Sequence, residues 1–400
     1  MSQHAVIPVE NQVLYIGLDV HKQSWDVSIR RSNITVKQFG MRPSVQQLRS
    51  FLEKHYPGME YRSVYEAGFT GFSTHRSLES VGISNIVVNA ADVPTSDKDY
   101  RGKSDPVDSS KLAQALSAGL LSGIAVPTVE QEGLRNLDRI YDQLVGQRTT
   151  TKNQIRSFLA TYSISVPRRL DPADERPGRM AAWGKEFVQW LAQVSLPSRE
   201  AREALDLLLQ SLACHERVIR AHARLLRAAV RRCGPVAKTA KLLQSIKGIG
   251  PISAATLSSE LYDIGRFDSF DRLCSYVGLV PNARRSGQSE GRAVLTRRCN
   301  HRVRTRLIEA AWVAIRGDSA LFALLPPEVP GVKVPGARQR AIVKVARKLL
   351  ERIWIVWRRQ TPWRPAEATA TTPTRVKLTK VKRSNDDRAG ETPAPESRTA

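Results

Sequence analysis

The chain has 400 residues, more than one core usually covers, and carries 62 Lys+Arg against 38 Asp+Glu for a net charge of +24. Such an excess points to a polyanion partner, with nucleic acid ahead of an anionic membrane surface. No apolar run reaches the roughly 18 residues needed to cross a bilayer, MSQHAVIPVENQ lacks a signal-peptide pattern, and the four cysteines lack CxxC spacing, so neither zinc nor a disulfide framework is expected and a reducing bacterial cytoplasm fits.

In chain order, VLYIGLDV (13–20) is an apolar run containing Asp19, and WDVSIRR (25–31) and ITVKQF (34–39) alternate or are β-branched, which predicts three strands of a meander. PSVQQLRSFLEKH (43–55) spaces Val45, Leu48 and Leu52 for a helix. YRSVYEA (61–67) returns to strand, TGFSTHRSLESVG (70–82) to helix and ISNIVVN (83–89) to strand, ahead of a helix carrying Asp108. Three strands followed by helix–strand alternation predict a mixed sheet covered by helices. From Val129 to about Tyr162, through Leu134, Leu137, Ile140, Tyr141, Leu144, Ile155, Phe158 and Leu159, apolar residues recur at three- and four-residue steps, and a second such pattern runs from about Ser198 to Arg232 through Leu205, Leu208, Leu212, Val218, Leu225 and Leu226. The pair reads as a helical hairpin or coiled-coil arm, or equally as a bundle within one protomer. A charged, Pro-rich connector, VPRRLDPADERPGR (166–179), lies between them. Residues 237–327 read as a compact helical module, 337–360 as a strongly basic amphipathic helix, and the Thr/Pro/Ala/Lys/Arg-rich remainder from Thr361 as a disordered tail.

Four acids stand out in the first half. Asp19 ends the first strand and Glu66 the fourth, and open sheets gather their sites at the carboxyl ends of strands, where these two meet if the strands are parallel neighbours. Asp105 and Asp108, three apart at a helix start, share a face. Convergent carboxylates repel unless divalent cations sit between them. Mg²⁺ (or Mn²⁺) takes oxygen ligands, and two such ions about 4 Å apart stabilise the attacking and leaving oxygens of phosphoryl transfer. Arg101 and Lys103, just upstream, would serve the phosphate backbone. Plainer roles stay open: Asp105 before Pro106 has the form of an N-cap, and Asp108 in a first turn favours the helix dipole regardless. Asp19 and Glu66 resist such an account, because a buried unpaired carboxylate is costly.

A second constellation lies in the last third. LQSIKGIGPISAATL (243–257) has the form of a helix-hairpin-helix, whose Gly248 and Gly250 would let backbone N–H groups approach phosphates. An ordinary Gly-rich helix connection reads the same way. In YVGLVPNARRSGQSEGR (276–292), Ser286 follows Arg284 and Arg285. A serine flanked by cations can attack a phosphodiester, although a serine in a polar loop is also simply loop, and Ser289 is a rival. TRRCNHRVRTRLIEAAW (296–312) predicts a helix whose Arg302, Arg304 and Arg306 suit a nucleic-acid backbone.

Taken together, these blocks resemble one family. LDVHK, VYEAG and KSDPVDSSKLA, in that order, look like the RuvC-like half of the DEDD insertion-sequence transposases. IKGIGPISAATLSSEL, GRFDSF, YVGLVPNARRSG and RRCNHRVRTRL look like that family's C-terminal transposase domain, the likeness covering roughly residues 13–315. The resemblance implies an α/β RNase H-like (RuvC-like) domain over 1–128, a long helical or coiled-coil middle over 129–236, an all-α transposase domain with a helix-hairpin-helix over 237–327, and a basic helix and tail over 328–400. It implies that Asp19, Glu66, Asp105 and Asp108 hold the metal and that Ser286 becomes linked to DNA. It further implies a composite site across protomers of a homo-oligomer (dimer or tetramer) and a structured guide RNA encoded by the element, acting at the nucleoid. Rival readings are a RuvC-like nuclease that attacks with water, a non-catalytic nucleic-acid-binding protein, and a sugar-kinase-like ATPase. The last lacks the Gly-Thr pair expected after the first-strand aspartate, where VHK follows.

Overall fold

The computed structural model describes residues 12–94, 105–167, 170, 183–282, 285–286, 289–290, 294–296, 298–326 and 336–364, without the side chains of 105, 106, 281, 282, 285, 286, 289, 290 and 294. The first half is built on five strands, β1 (Val13–Val20), β2 (Trp25–Arg31), β3 (Ile34–Met41), β4 (Glu60–Glu66) and β5 (Ser84–Val88), in the order β3-β2-β1-β4-β5. β2 is antiparallel to both β1 and β3, whereas β4 runs parallel to β1 and to β5. The mixed sheet expected from the strand and helix order is therefore present. Helix α1 (Val45–His55) starts two residues later than its sequence pattern, because the Ser44 hydroxyl accepts from the Gln47 N–H and caps it.

Helices cover both sheet faces. Leu14, Ile16 and Leu18 of β1 and Trp25, Val27 and Ile29 of β2 point to one face, where α1 and α2 (Ser73–Ser80) bury them with Leu48, Leu52 and Leu78. On the other face lies α3 (Asp105–Ser117), whose Leu112 packs with Val64, Val88 and Val93. An apolar run without alternation in β1 is what burial on both faces demands. Gly17 makes the close packing of α3 possible: a Cβ there would lie 2.0 Å from the Ser109 carbonyl oxygen and 2.5 Å from the Ala113 nitrogen.

The middle is an antiparallel hairpin of α4 (Val129–Thr161) and α6 (Arg199–Arg232), with α5 (Lys185–Gln193) packed across the outer end. At roughly 1.5 Å per residue each long helix spans about 50 Å. The antiparallel sense follows from the contacts: Thr151 Oγ1 lies 3.3 Å from His215 Nδ1, and His222 Nε2 lies 2.7 Å from the Leu137 carbonyl oxygen. The seam of α6 runs through Leu205, Leu212, Ile219 and Leu226, seven residues apart and all buried, while Val218 and Leu225 are exposed.

The remaining helices are α7 (Gly234–Leu243), α8 (Pro251–Leu261), α9 (Phe270–Val277), α10 (His301–Ala314), the short α11 (Ser319–Phe322) and α12 (Ala337–Arg359). They share one core, which also takes in Leu134 of α4 and Leu226 of α6. Two expectations need correction here. The module is not all-α: β6 (Pro281–Asn282) pairs with β9 (Val294–Leu295), and β7 (Arg285–Ser286) with β8 (Ser289–Glu290). And α12 is no appendage beyond a boundary at 327/328, because Ile342, Val345, Ala346, Leu349, Leu350 and Ile353 are buried in the same core. Apart from Arg352, which is buried against Asp318, its cations lie outside this apolar stripe and mask it in a reading by composition. No described helix is long and apolar enough to cross a membrane, and all four cysteines are free thiols. The expected disordered tail lies almost wholly outside the described residues.

Candidate active site

The parallel register of β1 and β4 fixes the first two acids. Leu18 pairs with Tyr65, so Asp19 and Glu66 follow side by side at the carboxyl ends of neighbouring strands. Side chains alternate along a strand. Leu18 and Tyr65 face the α1/α2 core, so Asp19 and Glu66 project to the α3 face. Asp26, which the sequence reading overlooked, joins them there, because it stands directly opposite Asp19 in the antiparallel ladder. The strict alternation of WDVSIRR, with Trp25, Val27 and Ile29 in the core, was the available signal.

The third and fourth acids ride on α3. Its sheet-facing stripe carries the buried Ser109, Leu112 and Ala113, and Asp105 and Asp108 stand on the turn just before it. Where α3 touches Gly17 through Ser109, Asp108 is the preceding residue, and Asp19 lies two residues along the strand, about 7 Å away. The side chain of Asp105 lies outside the described residues, as do Arg101, Lys103 and Arg284 altogether.

Basic side chains attend two of these acids. His21 Nε2 lies 3.3 Å from Asp19 Oδ2, and Lys111 Nζ lies 3.5 Å from Asp108 Oδ1. Carboxylates directly opposite one another, such as Asp19 and Asp26, destabilise a sheet unless a positive charge intervenes. The donor set is all oxygen, which suits a hard divalent ion. Among the described side chains, however, no three His, Cys, Asp or Glu residues come close enough to hold an ion as they stand.

Ser286 and Ser289 occupy the β7/β8 ladder as direct cross-strand partners. Backbone placement therefore leaves the two hydroxyl candidates equivalent, and the side chains of Arg285, Ser286 and Ser289 lie outside the described residues.

Of the other expected nucleic-acid contacts, the helix-borne arginines are engaged within the chain. Arg302 donates to Asp138 Oδ2 (2.9 Å) and pairs with Asp142 (2.8 Å) and Glu260 (3.2 Å), and Arg306 pairs with Asp142 and Glu309. Arg304 donates to the carbonyls of Gly278 and Thr296. All three, whose sequence pattern suits a nucleic-acid backbone, thus have partners within the chain, and buried Asp138 and Glu260 need the Arg302 guanidinium. Burial raises the Asp138 carboxyl, outweighing the opposite pull of Thr256 and Arg302. Burial pushes Glu260 the same way, yet Arg139, Arg135 and Asn300 together outweigh it and hold that carboxyl below its usual range. Gly248 too has a packing role: at φ +92, its missing Cβ would lie 2.5 Å from the Ala310 carbonyl oxygen. Gly250, exposed at the start of α8 with open space around it, is the freer of the two glycines.

Comparison with known proteins converges on one family. Residues 240–324 match a family model described as the transposase IS116/IS110/IS902 family, and residues 16–164 match a DEDD-type model described as transposase. A Sinorhizobium fredii protein with a transposase name, y4rJ, is 31% identical over 312 residues, covering 73% of this chain and 75% of its own length. The transposase for insertion sequence element IS1111A of Coxiella burnetii is 26% identical over 302 residues, covering 72% and 76% respectively. The transposase for insertion sequence element IS1533 of Leptospira borgpetersenii is 23% identical over 310 residues, covering 75% and 84%.

Proposed function

The chain belongs to the IS110-type family of DEDD insertion-sequence transposases, enzymes that bind, cut and rejoin DNA, and on that premise we propose that its chemistry runs through Ser286 beside a divalent-metal pocket of Asp19, Glu66, Asp105 and Asp108. One observation carries the proposal: the parallel β1/β4 register that sets Asp19 and Glu66 side by side on the face covered by α3. The strand order β3-β2-β1-β4-β5 supports an RNase H-like reading of this half. The α7–turn–α8 unit, with Gly250 open at the start of α8, supports a helix-hairpin-helix that contacts DNA.

Mg²⁺ or Mn²⁺ held by the four carboxylates would neutralise charge on the scissile phosphate and polarise it. The Ser286 oxygen bonds to phosphorus as the bond to the departing sugar oxygen breaks, and the serine's proton passes, directly or through solvent, to that departing oxygen. The resulting serine phosphodiester keeps the energy of the broken linkage, so a strand hydroxyl can displace the serine and rejoin DNA without a nucleotide cofactor. A composite site across protomers, with the α4/α6 hairpins supporting assembly and a guide RNA choosing the DNA, completes the reading.

The test is a protein–DNA adduct on denaturing gels, formed with element-end DNA in Mg²⁺. Wild type and Ser289→Ala give the adduct. Ser286→Ala gives neither adduct nor cleavage, and Asp19→Asn and Glu66→Gln each reduce both by 10²-fold or more, the scale of losing an activating group. The alternative is a water-using nuclease of the same fold, in which Ser286→Ala still cuts.

A further inference from the structure

A cleft of about 1120 Å³ separates the sheet half from the C-terminal module. One wall comes from Phe72, Asn89 and Asp92, which follow the strand ends near Glu66; the other comes from Arg266, Tyr276 and Arg298. The cleft thus joins the carboxylate edge of the sheet to the segment just beyond the Ser286 arm.

The feature that calls for a ligand is Arg266. Its guanidinium carbon lies 4.9 Å from the Tyr262 ring centre, 4.5 Å from that of Phe267 and 4.6 Å from that of Tyr276. Three rings therefore hold one planar cation and strip water from it. Nε and one Nη of Arg266 are shut off from solvent and have no hydrogen-bond partner among the described residues. A guanidinium does not deprotonate to escape this cost, and a buried donor left unmet is expensive. Neighbouring acids do not answer it: Glu260 is taken by Arg139, Arg302 and Asn300, and Asp92 by Arg298. Arg135, on the far side of the Tyr262 ring at 4.8 Å, spends its N–H groups on the Ser259 and Glu260 carbonyls and adds a second charge to this wall.

We propose that this cleft is a binding channel for an unpaired nucleic-acid strand, with Arg266 as the residue that grips a phosphodiester. Arg266 lines the cleft, and a rotation of its side chain that frees the edge the rings now seal would present a guanidinium fork matching the paired oxygens of a phosphate. The volume slightly exceeds that of ordinary small-ligand clefts, which suits a few nucleotides of one strand. Arginine together with aromatic rings is how single strands are held without sequence preference, and half-buried Tyr276 and Phe72 line the two walls. The inference rests on the transposase reading, because it gives the strand opened at the carboxylates a path toward the serine arm. The shared chemistry is the phosphodiester, whether the strand is displaced DNA or guide RNA.

The test uses the full chain and fluorescence anisotropy with a labelled 12-nucleotide DNA of mixed sequence, the same sequence as RNA, and the DNA duplex, each across a salt series. Arg266→Met keeps an apolar stem between the rings. It should weaken binding of at least one single strand about tenfold and flatten that strand's salt dependence by about one unit of log–log slope, while changing duplex binding far less. The strand that responds, DNA or RNA, identifies the source. Unchanged single-strand affinity and slope would overturn the proposal, as would an equal loss for duplex. Should the variant fold poorly, wild type carrying thio-substituted oligonucleotides gives a second readout. Photocrosslinks to peptides containing Phe72 or Tyr276 support the channel, and crosslinks confined to other surfaces refute it. None of these readings needs strand cleavage, so a failure of the serine-and-metal reading would show separately.

Discussion

At the scale of single residues, the candidate site depends on an atom that is absent. Gly17 has no Cβ, and that lets Ser109 and Ala113 of α3 rest on β1. Gly17→Ala must push back helical backbone, a costlier demand than crowding a flexible side chain, and overpacking of this kind costs about 1–3 kcal/mol or more. The expected outcome is a melting temperature lowered by several degrees together with loss of cleavage, because α3 carries Asp105 and Asp108. Glu260 makes a pH-dependent counterpart. Its folded carboxyl titrates below the roughly 4.3 of an unfolded glutamate, so its contribution is full above that value and disappears as pH falls through the depressed one. Glu260→Gln should cost about 3 kcal/mol at pH 7, since it leaves partnered arginines without their acid. Urea titrations from pH 7 to 3 should then show a shallower acid loss below about pH 4.5 in the variant than in wild type; parallel profiles would refute this assignment.

At the scale of elements, strands were more legible than helix environments. Period-two alternation in 25–31 and the apolar runs at 13–20 and 61–67 gave strands within a residue or two of β2, β1 and β4, because one residue's shift would turn every side chain to the wrong face. Helix existence was equally plain, but helix phase was not. On α6 the apolar pattern combines the buried Leu205, Leu212 and Leu226 with the exposed Val218 and Leu225, since apolar residues on both faces leave the period undecided. In α12 the basic residues drew attention from a stripe that the fold buries. Leu349, fully buried there, gives the check: Leu349→Ala should cost about 2–5 kcal/mol, measured by denaturant unfolding and followed through Trp354 and Trp357 on the same helix. A loss under about 0.5 kcal/mol, the size of a surface substitution, would mean that α12 is peripheral after all.

At the scale of the whole molecule, the order of motifs carried the family, while pairings across the chain were beyond a sequence reading. Arg302 reaches Asp138 over 164 residues, and no local pattern tells a cation committed to such a partner from one left for DNA. The acids are the converse case. Asp19 and Glu66 were legible from their places at strand ends and not from the expected burial cost, since Glu66 is exposed and Asp19 only half-buried; parallel pairing puts them together. The hydroxyl stayed ambiguous because Ser286 and Ser289 face each other across one ladder. The central claim, that acids from three distant segments together grip divalent metal, is tested most directly with Fe²⁺ in place of Mg²⁺, followed by ascorbate and peroxide to cut the chain where the iron sits. Full-length protein should be cut near residues 19, 66 and 105–108 together, with all three cuts suppressed by excess Mg²⁺ and lost in Asp19→Asn. Cuts at only one of these segments, or a pattern that Asp19→Asn leaves unchanged, would contradict the account.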